Sequence, residues 1–389
     1  MNDVVSTQQQ PEQRTDRAGV RDIDGGTPLT RYARGWHCVG LAEQFHDGKP
    51  HAITAFGTKL VVFEVEGRLQ VLDAYCRHMG GDLSQGTVKG DSIACPFHDW
   101  RWNGAGKCTE IPYARRVPRR ARTRSWICEE RNKQLFVWHN PEGTPPSDDL
   151  AIPVIEESLS DEWSDWQWSE ILVENSTPRE VIDNVVDMAH FFYIHFAFPT
   201  RFRNVFDGHL ATQYLTSKGR SDVSSGGNYS GDETTLDSVA TYHGPSYMIN
   251  TLHSDISGFG IDAILVNCHY PVSPDSFHLQ VGVIVKKIPG LEPEHQNKIA
   301  SKIASSFSTG FFQDVEVWKN KTKIDNPLLC EEDGPVYQLR RWYEQFYVDE
   351  ADITDDMVNR FEFEVDVSTA LQNWEREVAA NVAAAATSE

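Results

Sequence analysis

The sequence predicts an α+β chain in which an all-β N-terminal domain, residues 30–140, precedes a mixed domain of strands and helices, residues 154–380. Three observations predict it. Short runs rich in β-branched and aromatic residues, bounded by turn residues, recur from Tyr32 to Asn140 ("AITAFG", "KLVVFEVEG", "LQVLDAY", "SIACPF", "QLFVWHN"). Residues 141–153 carry four prolines and few apolar side chains, the composition of a linker. Beyond them Phe277, Leu279, Val281, Val283 and Val285 alternate as on one face of a strand, and residues 292–319 read as a long helix.

Taken in order, residues 1–29 are polar, lack the apolar run of a secretory leader and are expected to be disordered. Leu60 to Val65, the turn pair Glu66-Gly67 and Leu69 to Leu72 read as a hairpin. In the second domain helices are expected from Pro178 to about Phe196, from Glu292 to Lys319 and near Val367 to Ala380. The Ala-rich residues 381–389 are expected to be a flexible tail, and no internal repeat is visible.

At 389 residues, 40% hydrophobic and 11% aromatic, the chain can bury a large core. Its net charge of -21 argues against a nucleic-acid partner, since phosphate binding rests on Lys and Arg. No apolar stretch reaches the roughly 20 residues that span a membrane, so a cytoplasmic protein with no membrane partner is expected. Its seven cysteines are too sparse, and odd in number, for a disulfide framework. Metal ligation is the better use for a close pair.

Two boxes bring such a pair: Cys76-Arg77-His78 and Cys95-Pro96-Phe97-His98. Two thiolates and two imidazoles could hold tetrahedral zinc. Each loop, however, offers one Cys and one His, which suits a two-iron cluster with both thiolates on one iron and both imidazoles on the other. Gly80 and Gly81 permit a tight loop beside these ligands.

A second constellation lies in "DNVVDMAHFFYIHFAF", residues 183–198. Asn184, Asp187 and His190 are spaced by three along one side of a helix, whereas His195 falls about 140° from His190 on an ideal α-helix. If both histidines bind one metal, the helix must distort between Phe191 and Ile194, and a π-bulge is the expected device. Two His and one carboxylate form the facial triad of non-haem Fe(II) oxygenases, and Asp187 is the nearest carboxylate. Buried core histidines on an apolar helix are the plainer alternative.

The boxes Cys76, His78, Gly80, Leu83 and Cys95, Pro96, His98, Trp100 resemble the Rieske domain of ring-hydroxylating and related oxygenases, with Asp99 where many members carry Gly and Trp102 where Phe or Tyr is common. Asn184, Asp187, His190 and His195 resemble the iron box of the same Rieske non-haem iron oxygenase family. The resemblance implies a [2Fe-2S] cluster on Cys76, His78, Cys95 and His98, and a mononuclear Fe(II) on His190 and His195. It takes the third iron ligand from a later helix, where "FFQDVEVW" points to Asp314, with Glu316 as the neighbouring alternative. Asp187 then becomes a bridge from His98 of one subunit to His190 of the next in a head-to-tail homotrimer. Asn184 becomes a group supporting the ligands, or a cap on local backbone.

From about Arg31 to Trp374 the chain resembles the oxygenase components of bacterial 3-ketosteroid 9α-hydroxylases, carried by "RYARGWHCVG", "IPYARRVP" and "LFVWHNPEG" besides the boxes. This implies a helix-grip catalytic domain, monooxygenation of a 3-ketosteroid at C9 with O2, and a role in steroid degradation. No G-x-G-x-x-G follows a strand, so NADH is expected to act through a separate flavin and iron-sulfur reductase. Sterol desaturation, N-demethylation, ring dihydroxylation and a non-enzymatic electron carrier stay open as alternatives. The stretch from Thr241 to Ile284 could line an apolar pocket. The run "ARRVPRRARTR", with Arg115, Arg116, Arg119, Arg120, Arg122 and Arg124, reads either as a solvated strand or as a dock for an acidic partner.

Overall fold

The computed structural model describes residues 20–223, 234–256 and 258–387. Among these, the N-terminal domain consists of three small antiparallel sheets. The first pairs Gly35–Leu41, Gln134–His139 and Cys128–Arg131. The second orders His51–Ala55, Thr58–Val65, Arg68–Asp73 and Ser125–Trp126. The third, Thr87–Lys89, Ser92–Ala94, Arg101–Asn103 and Cys108–Glu110, carries the second Cys-His loop between its middle strands. The hairpin read from sequence is present: Glu66 (φ 51°) and Gly67 (φ 75°) form its two-residue turn, the left-handed pair that matches strand twist.

The second domain is built on an eight-stranded antiparallel sheet, in the order Gln167–Glu174, Ser276–Val285, Phe259–Ser273, Tyr247–Ile256, Thr234–His243, Leu210–Lys218, Phe198–Asp207 and Phe361–Glu364. Val281, Val283 and Val285 bury one face of their strand with Ala300 and Ala304 of the long helix. Ile284 of the same strand, with Ile264 and Val266, packs on the opposite face against Trp36, Phe136 and Trp138 of the first domain. This strand is therefore covered on both sides, and apolar clusters run across the two domains. Ile152 and Ile155 belong to the cluster around Trp36, and the Asn132 side chain ties down Pro153 O (2.9 Å) and Ile155 N (2.8 Å), so the end of the Pro-rich connection is anchored.

The long helix spans Pro293–Asn320 and opens with Pro, whose missing N–H costs nothing there. The last helix spans Ser368–Ala386, so the tail expected to be flexible is helical that far, in keeping with the propensity of its alanines. Residues 388–389 of that tail, and residues 1–19 of the expected disordered segment, lie outside the described residues. Within residues 20–29, Asp24 N donates to Asn326 Oδ1 (3.0 Å), and Asp24 O accepts from Asp325 N (2.6 Å).

The helix expected over 178–196 is broken into Pro178–Ile182, a 3₁₀ turn at Asp183–Val185 and Ala189–Tyr193. The carbonyl of Val185, which a continuous helix would give to the backbone, instead accepts from Asn204 Nδ2 (2.8 Å) and Gln213 Nε2 (2.8 Å) on the sheet. Asp187 Oδ1 then accepts from His190 N (3.1 Å), capping the restarted helix.

Candidate functional site

The two Cys-His loops are built alike. Gly80 N donates to Cys76 O (2.9 Å) and Asp99 N to Cys95 O (2.9 Å), while Cys76 N donates to Gly81 O (2.8 Å) and Cys95 N to Trp100 O (2.9 Å). Gly80 (φ 76°) and Asp99 (φ 56°) thus hold the same left-handed position, four residues after each Cys. This accounts for the glycine expected at position 99: Asp tolerates the conformation, and Lys89 (2.7 Å) and Arg101 (3.2 Å) anchor its carboxylate.

The loops bring all four side chains together. Cys76 and Cys95 are buried in one cluster with Trp102, and the His78 and His98 rings stand 4.8 Å apart. A Cβ on Gly81 would lie 2.6 Å from Cys95 Sγ, so only glycine fits there. His98 Nδ1 is buried without a hydrogen-bond partner among the described residues, as a nitrogen reserved for a metal must be. Burial pushes the Cys76 thiol up to about 11, so a bare thiolate is disfavoured and positive metal charge is what would deprotonate it. The donor set fits a two-iron cluster.

The second group is His190, His195 and Asp314, whose ligand atoms all lie within 4.8 Å of one another. His195 reaches it because its helix ends early. His190 O accepts from Ile194 N (2.7 Å) and, more weakly, from His195 N (3.4 Å), and Phe196 (φ 56°) closes the helix with Ala197 N on Phe191 O (2.9 Å). The bond from His195 N to His190 O spans five residues, as in a π turn, so the π-type widening expected between Phe191 and Ile194 occurs at the helix end rather than inside a continuous helix. His190 Nδ1 donates to Asp187 O (2.6 Å), which leaves the Nε2 lone pair free to bind a metal. Burial would lower the His190 pKa, but the hydrogen bond and charge of Asp187 and the charge of Asp314 outweigh it and hold it above its usual value. Asp314, 4% exposed, sits on the long helix with Oδ2 3.2 Å from His195 Nε2.

The neighbouring residues sort themselves. Glu316 is exposed and faces Lys319, outside the group. Asp187 keeps 47% of its side chain open yet is crowded by neighbours: burial acts to raise its pKa, and the His190 contacts overcome this and lower it. Asn184 lines the cavity beside His190, and its side-chain amide has no partner among the described residues. His253 pairs with Asp262 and His278 with Glu170, away from the metal group.

The cavity at this group lies between the sheet and the long helix. Tyr242, Met248, Leu252, Leu265 and Asn267 come from the stretch expected to line it. Leu215, Leu236, Phe307 and Phe311 do not, and were missed. Their alternation along strands and helix is that of any core face; only the topology distinguishes a wall from a core.

Residues 35–121 match the Rieske [2Fe-2S] domain family, and residues 137–347 match the 3-ketosteroid 9alpha-hydroxylase C-terminal domain family. Over 366 residues the chain is 63% identical to the oxygenase component of 3-ketosteroid-9-alpha-monooxygenase from Rhodococcus rhodochrous, covering 94% of this chain and 96% of that one. The protein of the same description from Mycobacterium tuberculosis is 60% identical, with 95% of each chain covered. The crystal structure of dicamba monooxygenase bound to dicamba has a TM-score of 0.67, covering 84% of this chain and all of that one; at 19% identity this is a likeness of fold.

Proposed function

Because the chain belongs to the family of 3-ketosteroid 9α-monooxygenase oxygenase components, Rieske proteins that also carry a mononuclear iron, we propose that Cys76, His78, Cys95 and His98 hold its [2Fe-2S] cluster and that His190, His195 and Asp314 hold its catalytic iron. The enzyme is a monooxygenase that hydroxylates a 3-ketosteroid at C9, fed by a separate reductase. The observation that carries the assignment is the convergence of two imidazoles and one buried carboxylate at an apolar cavity.

When bound, the iron supplies activation of O2: one oxygen atom enters the C9–H bond and the other leaves as water, with two electrons and two protons consumed. The chain's own part is to bind, orient and keep dry. Leu215, Leu236, Met248, Leu252 and Phe307 offer a flat apolar molecule a water-excluding wall. Gln213, by donating to Val185 O, fixes the broken segment from which His190 projects. Asp187 fixes the His190 tautomer through its carbonyl. Its carboxylate we assign as the bridge to His98 of a neighbouring copy in a head-to-tail trimer. The half-open side chain of Asp187 supports this, as does the exposed rim of Tyr75, Met79 and Phe97 around the cluster loops. Cytoplasmic localisation remains part of the proposal; no described helix is long and apolar enough to cross a membrane.

The test is product analysis. With NADH, the reductase, ¹⁸O2 and a 3-ketosteroid, the expected product carries one labelled hydroxyl at C9 in the α configuration. A desaturated product, or a hydroxyl at another carbon, would overturn the reading.

A further inference from the structure

The arginine run found in the sequence takes no part in either metal group. It forms segment 112–124 beside the cluster loops: Cys108 N donates to Ala121 O (3.0 Å), Thr123 N donates to Gly106 O (2.8 Å), and Ile111 is buried with Cys76, Cys95 and Trp102. Arg115, Arg116, Arg119, Arg120 and Arg122 are exposed, and among the described residues none has a carboxylate partner, whereas nearby Arg101 pairs with both Asp99 and Glu110. No acidic residue lies between Glu110 and Glu129. In a chain with 57 acidic and 36 basic residues, this segment is a local concentration of positive charge.

The patch is also wired to the cluster loops. Tyr113, 64% exposed, accepts a hydrogen bond from Trp100 Nε1 (2.7 Å), and the Trp100 ring stacks on His78 at 4.4 Å and 8°. Unpaired arginines around an exposed aromatic side chain are the composition of a docking site.

We propose that segment 112–124 is the docking surface for an acidic face of the reductase, with Tyr113 and Trp100 lying between the docked donor and His78. The inference rests on the cluster assignment above. One electron leaves the donor's reduced iron-sulfur centre and enters the cluster, NADH being the ultimate source. A second copy of this acidic chain would also suit the charge. The route favours the reductase: the rim of Tyr75, Met79 and Phe97 at the loop tips is given to the neighbouring copy in the proposed trimer, whereas Tyr113 reaches His78 from the flank through Trp100. Entry at the flank leaves the exit free.

The test compares the cluster-loaded wild type with an Arg115→Gln, Arg116→Gln, Arg119→Gln, Arg120→Gln variant, using the immobilised reductase component of the Rhodococcus rhodochrous system at low and high salt. The variant should bind at least about tenfold more weakly at low salt and lose most of the wild type's salt dependence. Its cluster should still reduce with dithionite, and its sedimentation should not change. Lys at the same four positions should recover most of the binding, which excludes misfolding as the cause. Equal affinity and salt slope in the Gln variant, or no recovery with Lys, would overturn the proposal; so would dissociation of the assembly, which would assign the patch to contacts between copies. A wild type with no dithionite-reducible cluster would instead defeat the underlying assignment.

Discussion

His195 Nε2 lies 3.2 Å from Asp314 Oδ2, so the widened end of a short helix meets the C-terminal third of the longest described one at a single point. Removing the carboxylate takes one donor and the balancing charge from that point while leaving the cluster loops untouched. Asp314→Ala is expected to lower iron from about three to about two per chain, with sulfide held at about two. Turnover should fall at least ~100-fold, and the Rieske-type EPR signal of the reduced protein should persist. An unchanged iron content would remove Asp314 from the site.

Gly80 and Gly81 are neighbours with different constraints. Gly81 has no room for a Cβ against Cys95 Sγ, whereas Gly80 has open space but a φ of 76°. Gly81→Ala should therefore cost most of the acid-labile sulfide. Gly80→Ala should keep the cluster and lose only about 1 kcal/mol of stability to the left-handed backbone. Sulfide assay and thermal melts check both; a Gly81→Ala protein with full sulfide would contradict the crowding argument.

The legibility of this chain follows the range of its interactions. The Cys-His boxes could be read because each loop supplies its own ligands and turns on its own hydrogen bonds, as Gly80 and Asp99 do. The hairpin at Glu66-Gly67 and the long helix are local in the same sense. The break near Asp187 was hidden because the groups that capture Val185 O, Asn204 and Gln213, arrive from strands later in the chain. Asp314 was equally obscure from the residues alone, since a carboxylate on an amphipathic helix looks solvated until the fold places His195 beside it. Only the family resemblance pointed to it.

Gly334 supports the broken segment from outside, and a Cβ there would lie 1.9 Å from Val186 O, a backbone atom with no rotamer to yield. Gly334→Ala must therefore shift the stretch that leads into Asp187. A stability loss of roughly 1–3 kcal/mol is expected. Turnover should drop while cluster content and its EPR signal stay normal. Full activity at unchanged melting temperature would show that the segment adjusts freely.

The last prediction concerns acid. His37, His139 and His269 are buried near the junction of the two domains, and burial lowers their pKa values to about 4, about 3 and about 3. His37 adds repulsion to both other rings, and Arg124 and Arg31 add it to His139; Ala33 O, accepting from His37 Nε2 (3.1 Å) and His139 Nδ1 (3.1 Å), opposes the shift. The folded state therefore binds these protons less readily than the unfolded chain, whose histidines titrate near 6.5. Stability is fully present above that value and falls as pH drops from about 6.5 toward 4. At pH 5.5 each ring should cost about 1.4 kcal/mol, on the order of 4 kcal/mol together. His139→Phe keeps a flat ring stacked on Phe56, now 4.5 Å away, and removes one titrating group. Its melting temperature should therefore fall less than that of wild type between pH 7.5 and 5.5, the rest of the loss coming from His37, His269 and the largely buried His243; identical pH profiles would mean that His139 is already charged in the folded protein or remains buried and neutral after unfolding.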